Sequence, residues 1–343
     1  MGSRLLPLLP LPACLALACE LPLPNEPDPA PPASFATPDA APPPPDAFVP
    51  AAATLTARPA LTWLERSSIV VLNGARAAPR QFRDRYMDFG DASSPNVFDG
   101  DPPSRPPLRY STALAEAARF HADDRMPCLG GGVNAHALCD GTPFWDWVDD
   151  WGPPTITAGV AHPWLRPIDR RLPLWFTSSF ICDGLLRSDG KVFECVSDGA
   201  EAAGHRRILV LAASETQIGA GYATGADFGF YSGETSRDPV GSSSPLVTAG
   251  HFFDGDRIVF AANVEAAAAP RSVTLVVGGT RRALPVDLGT ATRGMYAHAE
   301  SAANACRSYY FELVDAAGTT WRAPTSGAYA TSGEGACDQD WLP

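Results

Sequence analysis

From Leu61 onward, apolar residues recur at close to helical spacing. In LTWLERSSIVVLNGARAAPRQF they fall at Leu61, Leu64, Ile69 and Leu72, and Pro79 marks an end. PLRYSTALAEAARFHADDRM predicts a second helix, capped by Ser111, with Leu114, Ala117, Ala118 and Phe120 on its buried side. TPFWDWVDDWG predicts a short helix capped by Thr142, and DGAEAAGHRRILVLAA a third long one. Between them lie a proline-rich excursion over 153–175 and FTSSFICDGLLRSDGKVFEC, with a turn signal at Ser188-Asp189-Gly190.

Downstream the period changes to that of strands. Ile218–Ala223, Phe228–Ser232, Leu246–Phe253 and Arg257–Val264 read as β. Past Pro270 the pattern is β throughout: a hairpin across Gly278-Gly279, then Met295–Ala299, Cys306–Val314 and a strand after DAAGTTWRA. Helices first and strands afterwards predict an α+β chain, with a main domain over 58–265 and a small β-sandwich over 266–343.

The region before Leu61 has no period. MGSRLLPLLPLPACLALAC (1–19) reads as an export signal, with Arg4 ahead of an apolar stretch that ends in small residues. Ala16-Leu17-Ala18-Cys19 matches a bacterial lipobox, which would lipidate Cys19. Pro7, Pro10 and Pro12 interrupt the apolar stretch, so an ordinary cleaved signal is the other reading. Residues 20–57 read as an extended, solvated linker, since 12 of the 30 residues from Leu21 to Pro50 are proline. An exported protein, anchored to the envelope by lipid or free, is the expected location.

Charge narrows the partners. The 343-residue chain carries a formal net charge of −12 and a single lysine, Lys191, which argues against nucleic acid. Setting Cys14 and Cys19 aside leaves six cysteines, an even number that in an exported chain predicts three disulfides. Of the 15 pairings open to six cysteines, proximity favours Cys128–Cys139, Cys182–Cys195 and Cys306–Cys337. No C-x-x-C spacing supports a zinc–cysteine site.

Five fragments, VVLNGARAAPRQF, LRYSTALAEAARFHADDRM, NAHALCDGT, GHRRILV and QIGAGYA, occur in the order and spacing of the CAP superfamily (cysteine-rich secretory, antigen 5, pathogenesis-related 1). Over about 61–264 the chain resembles that family's bacterial form. The resemblance implies a three-layer α/β/α sandwich with a surface cleft, where two histidines face each other and bind zinc in many members, often with two glutamates nearby. By motif these histidines are His136, from NAHA, and His205, from GHRR. Where the family commonly carries G-E-N this chain has Gly159-Val160-Ala161, so one carboxylate is lost. Glu194 and Glu201 align only loosely as replacements, and His162 lies near the missing acid.

His205 reads as a zinc ligand, a general base, or a polar residue bonded to the backbone where helix meets sheet. His121, beside Asp123 and Asp124, reads as solvated or at the core edge, and His251 and His298 as structural. The chain has no G-x-S-x-G, H-E-x-x-H or G-x-x-x-x-G-K-[ST] motif. The first expectation is therefore a non-catalytic binding protein that takes a lipid, glycan or protein ligand through the histidine cleft. A zinc-assisted peptide or ester hydrolase, and an envelope protein that adheres through the C-terminal β domain, are the alternatives.

Overall fold

Thr62 starts the helix around which the rest of the chain is arranged. Its side chain accepts from the Glu65 amide, and Glu65 Oε2 accepts from the Thr62 amide at 2.8 Å, a reciprocal capping box. In the computed structural model, helix α1 (Trp63–Ala77) is buried at every position except Leu64. The structure describes residues 61–87, 97–98, 100–128, 135–149, 151, 154–164, 170–182, 195, 204–224, 229–240, 244–335, 337 and 339–342. The signal read at 1–19, Cys19, the linker over 20–57, Glu194, Glu201 and the side chain of His162 lie outside this description. Among the described residues no helix is long and apolar enough to cross a membrane.

Pro79 does not end the helical region; it opens α2 (Pro79–Tyr86) as its first residue, where its missing N–H costs nothing. Strand β1 (Arg109–Tyr110) and α3 (Thr112–Arg125) follow, and the Ser111 side chain accepts from the Leu114 amide as expected. Next come α4 (Phe144–Asp149), β2 (Ala158–Trp164) and α5 (Leu172–Cys182). The stretch read as an excursion thus holds a strand and the start of a helix. The third helix is, among its described residues, two α-helical residues, Gly204 and His205, running into a π-helical segment, Arg206–Leu211. Strands β3 (Gln217–Thr224) and β4 (Gly229–Ser236) complete a first sheet of order β1-β3-β4-β2, in which β1 and β3 are parallel.

Helices cover both faces of that sheet. Gly219 and Gly221 of β3 let α3 lie directly on the strand, since a Cβ at Gly219 would sit 2.0 Å from the Ala115 nitrogen and one at Gly221 2.3 Å from that of Arg119. On the opposite face Ile218, Ala220, Val160 and Tyr231 pack into one cluster with α1 and α5. The chain is therefore a mixed α+β protein.

The remaining strands build a sandwich. They are β5 (Leu246–Asp254), β6 (Arg257–Glu265), β7 (Ser272–Val277), β8 (Thr280–Ala283), β9 (Val286–Gly289), β10 (Arg293–Ser301), β11 (Ser308–Val314), β12 (Thr320–Ala323), β13 (Ala328–Ala330) and β14 (Trp341–Leu342). A second sheet has the order β5-β6-β10-β9, and a third β14-β13-β11-β7-β8 with β12 on β11. Phe253, Ile258, Phe260 and Ala262 face Val273, Leu275, Phe311 and Leu313 between these sheets, whereas Phe252, Val259 and Ala261 turn back onto α1. The boundary expected at 265/266 lies between β6 and β7, but the second sheet spans it: β6 pairs with β10 over nine residues, Glu265↔Arg293 through Arg257↔Ser301.

Three disulfides join Cys128 to Cys139, Cys182 to Cys195 and Cys306 to Cys337, with Cα separations of 5.7, 4.4 and 5.3 Å. Sequence proximity anticipated each pairing.

Because β5 and β6 bridge α1 and the third sheet, a fragment of residues 58–265 exposes one edge of β6 and one whole face of both strands. We expect this fragment to show no cooperative urea transition by circular dichroism. A sharp transition resembling that of the full chain would make 265/266 a real domain boundary.

Candidate functional site

His136 lies in the turn between α3 and α4, a short segment fixed from several directions. The Cys128–Cys139 bridge closes the segment, Asp124 Oδ2 accepts from the Cys139 amide at 2.7 Å, and Trp147 Nε1 donates to the His136 carbonyl at 3.3 Å. Phe144 meets the imidazole edge-on with ring centres 6.0 Å apart, and only 2% of His136 is exposed.

His205 arrives from the other side. Its ring packs on Phe180 of α5 at 5.3 Å, and buried arginines hold both ends of the segment that follows it. Arg206 donates to Ile181 O (2.5 Å), Cys182 O (3.1 Å) and Val97 O (2.6 Å), reaching the last carbonyls of α5, which lack helical partners. Arg76 of α1 donates to Leu209 O at 2.6 Å and Ala212 O at 3.0 Å, as well as to Pro106 O. Burial pulls the Arg76 guanidinium down to about 10, so it remains a cation at neutral pH. The GHRR fragment thus supplies one histidine of the pair and one backbone clamp.

The two imidazoles come together as the motifs imply: their ring centres are 6.3 Å apart and their planes 28° from parallel. His136 is neutral, with its pKa pushed down to about 3 by burial first, then by the charges of His205 and His121. Such a group offers lone-pair or N–H chemistry over the physiological range, but its pKa is far from that of an efficient general base.

Val160 is fully buried in the cluster with α1 and α5. Among the described residues no three His, Cys, Asp or Glu side chains converge as a metal set. The pair supplies two of the three protein ligands usual at a catalytic zinc, so the described side chains do not by themselves fit one.

Sequence reasoning missed a second polar cluster behind His136. His121 is not solvated; it is fully buried against Trp147 and Phe230. Ser232 Oγ donates to Glu234 Oε1 at 2.8 Å, so His121 Nδ1–H donates to Ser232 Oγ at 2.9 Å. Glu234 pairs across the sheet with Gly159, where a Cβ would lie 2.4 Å from Glu234 Oε2. The signal available in the sequence was the alternation Ser232, Glu234, Ser236, polar residues two apart that share one face of β4.

No family model, curated protein or solved structure matches this chain.

His251 is a third deeply buried imidazole, held between Tyr309 OH (2.7 Å) and Ser332 O (2.8 Å) and stacked on Trp63. Burial leads the causes that push its pKa down to about 3. Unfolded, His136 and His251 titrate near 6.5, so the stability contributed by their neutral rings is complete above that pH and is lost as pH falls towards 3. Urea unfolding should therefore give a free energy lower by about 2 kcal/mol per histidine at pH 5 than at pH 7.5. A flat profile over that interval would contradict the burial of neutral imidazoles.

Proposed function

We propose that this chain is an exported member of the CAP superfamily that binds a lipid, glycan or protein ligand at the His136–His205 cleft without turning it over. The approach of these two imidazoles, from segments almost seventy residues apart, carries the reading. The five sequence fragments support the family, and their local roles are physically coherent. Asn73 of the first fragment exchanges two hydrogen bonds with Leu108, its amide nitrogen to the carbonyl at 2.9 Å and its oxygen from the backbone N–H at 2.7 Å. The glycines of QIGAGYA admit α3. The three disulfides fit an oxidising, extracytoplasmic setting.

Binding is favoured over hydrolysis by the depressed pKa of His136 and by Val160 in the place of an acid. A hydrolase would need a proton donor for the leaving group, and neither residue supplies one.

Peptide and ester panels, with or without one equivalent of zinc, should show no turnover above that of a His136→Ala/His205→Ala variant. Turnover abolished by His205→Ala in a protein that still unfolds cooperatively would overturn the binding reading in favour of catalysis.

A further inference from the structure

The Cys128–Cys139 bridge sits where α3 ends. The last carbonyls of a helix have no partner within it, and the two sulfurs lie against two of them. Cys139 Sγ is 2.7 Å from Asp124 O, and Cys128 Sγ, at the end of a 3₁₀ turn (Met126–Cys128), is 3.5 Å from Arg125 O. Closer still to Cys128 is a cation. Arg125, the last residue of α3, is only 3% exposed. Its Nη1 lies 3.1 Å from Cys128 Sγ, and its guanidinium carbon is 5.9 Å from the centre of the Phe230 ring. Arginine keeps its proton in proteins. A fixed positive charge therefore touches one sulfur of the bridge, and a carbonyl dipole touches the other.

That asymmetry controls thiol–disulfide exchange. A thiol beside a guanidinium ionises more readily, and the sulfur with the lower pKa is the better leaving group. On opening, Cys128 is the sulfur that leaves as a thiolate against Arg125, and Cys139 is the one that keeps a proton, donated to the Asp124 carbonyl. Stabilising the thiolate of the reduced form also makes a bridge easier to open at equilibrium. Cys128 and Cys139 are both half-buried, within reach of a small reagent. Exposure alone would rank Cys306–Cys337 as the easier bridge, because Cys306 is exposed. The charge on Arg125 reverses that order.

We propose that Cys128–Cys139 is a redox-active bridge opened by an external dithiol, and that its state sets how firmly His136 is held. One thiolate of the reagent attacks Cys139 Sγ, the bond to Cys128 breaks, and Cys128 departs as the thiolate. The reagent's second thiolate then attacks its own sulfur in the mixed disulfide. Cys139 is displaced and takes up a proton, and the reagent is left as a disulfide. Two electrons pass from the reagent to the bridge; one of its two thiol protons ends on Cys139 and the other in solvent. His136 precedes Cys139 in the same turn. With the bridge open, that turn keeps the Asp124 bond to the Cys139 amide and the Trp147 bond to the His136 carbonyl, but loses its covalent tie to α3. The proposal concerns the bridge and its turn, and does not depend on what the histidine pair binds.

Equilibration of the full chain in graded reduced-to-oxidised dithiothreitol, without denaturant, followed by acid quench, alkylation and peptide mapping, tests the proposal. We expect Cys128–Cys139 to be half-reduced at a dithiol-to-disulfide ratio at least tenfold lower than either other bridge. In protein reduced at this bridge alone, iodoacetamide at pH 6 should label Cys128 at least tenfold faster than Cys139. After alkylation, diethyl pyrocarbonate should modify His136 at least tenfold faster than in the oxidised protein, with the buried His251 unchanged. Arg125→Met should remove the advantage of this bridge over the others; if that variant does not unfold cooperatively, the labelling of the unsubstituted protein decides. Equal or earlier opening of another bridge, or faster labelling of Cys139, would overturn the redox assignment. Unchanged reactivity of His136 would overturn the hold of the bridge on its turn.

Discussion

Helix α1 is buried between two sheets, so its polar side chains must find partners inside the protein. An unpaired buried amide or guanidinium costs several kcal/mol, and the chain answers with cross-links. Asn73 pairs with the Leu108 backbone and reaches Thr248 of β5; Asn263 of β6 donates to Val70 O; Arg76 binds three carbonyls. Glu65 holds Arg119 of α3 through two contacts, Oε1 to Nε at 2.7 Å and Oε2 to Nη2 at 2.5 Å. Removing one partner of such a buried pair typically costs about 3–5 kcal/mol. These bonds fix α1 relative to α3, the π-helical segment and the second sheet at once.

The approach of His136 to His205 follows from that arrangement. The two share no strand or helix: His136 rides on a disulfide-closed turn beside α3, and His205 on a segment clamped by Arg76 and Arg206. The Arg76 clamp originates in α1, so the position of His205 depends on the same helix that supports the sandwich. The close approach of Gly74 to Met295, where a Cβ would fall 2.7 Å from the sulfur, ties α1 to β10 as well. The two halves of the molecule are thus packed on opposite sides of one element.

Much of this was legible because the local signals were strong. The Ser111 cap, the strand alternation after Ile218, the Gly278-Gly279 hairpin and the cysteine spacings all act over short distances. Strand β2 was not legible, since AGVAHPW carries a glycine and a proline; it is an edge strand, where proline is tolerated. Nor was α5, whose LPLWFTSSFIC is apolar on most sides and shows no helical period. The spacing of Leu61, Leu64, Ile69 and Leu72 gave no sign that Asn73 and Arg76 are fully buried, and only their long-range partners reveal a second packed face. The same holds for His121, Ser232 and Glu234, which meet across more than a hundred residues. For the site, the motifs located the histidine pair, while the acidic positions near it remained loosely aligned.

The central claim is that α1 unites the helical layer and the sandwich into one cooperative unit. Native-state hydrogen exchange at low denaturant tests it most directly, by comparing opening free energies for amides of α1, β3 and β11. The account predicts that all three converge on the same global value. Protection of β11 that persists after α1 and β3 have opened would contradict it, and would mean that the sandwich folds without the helix.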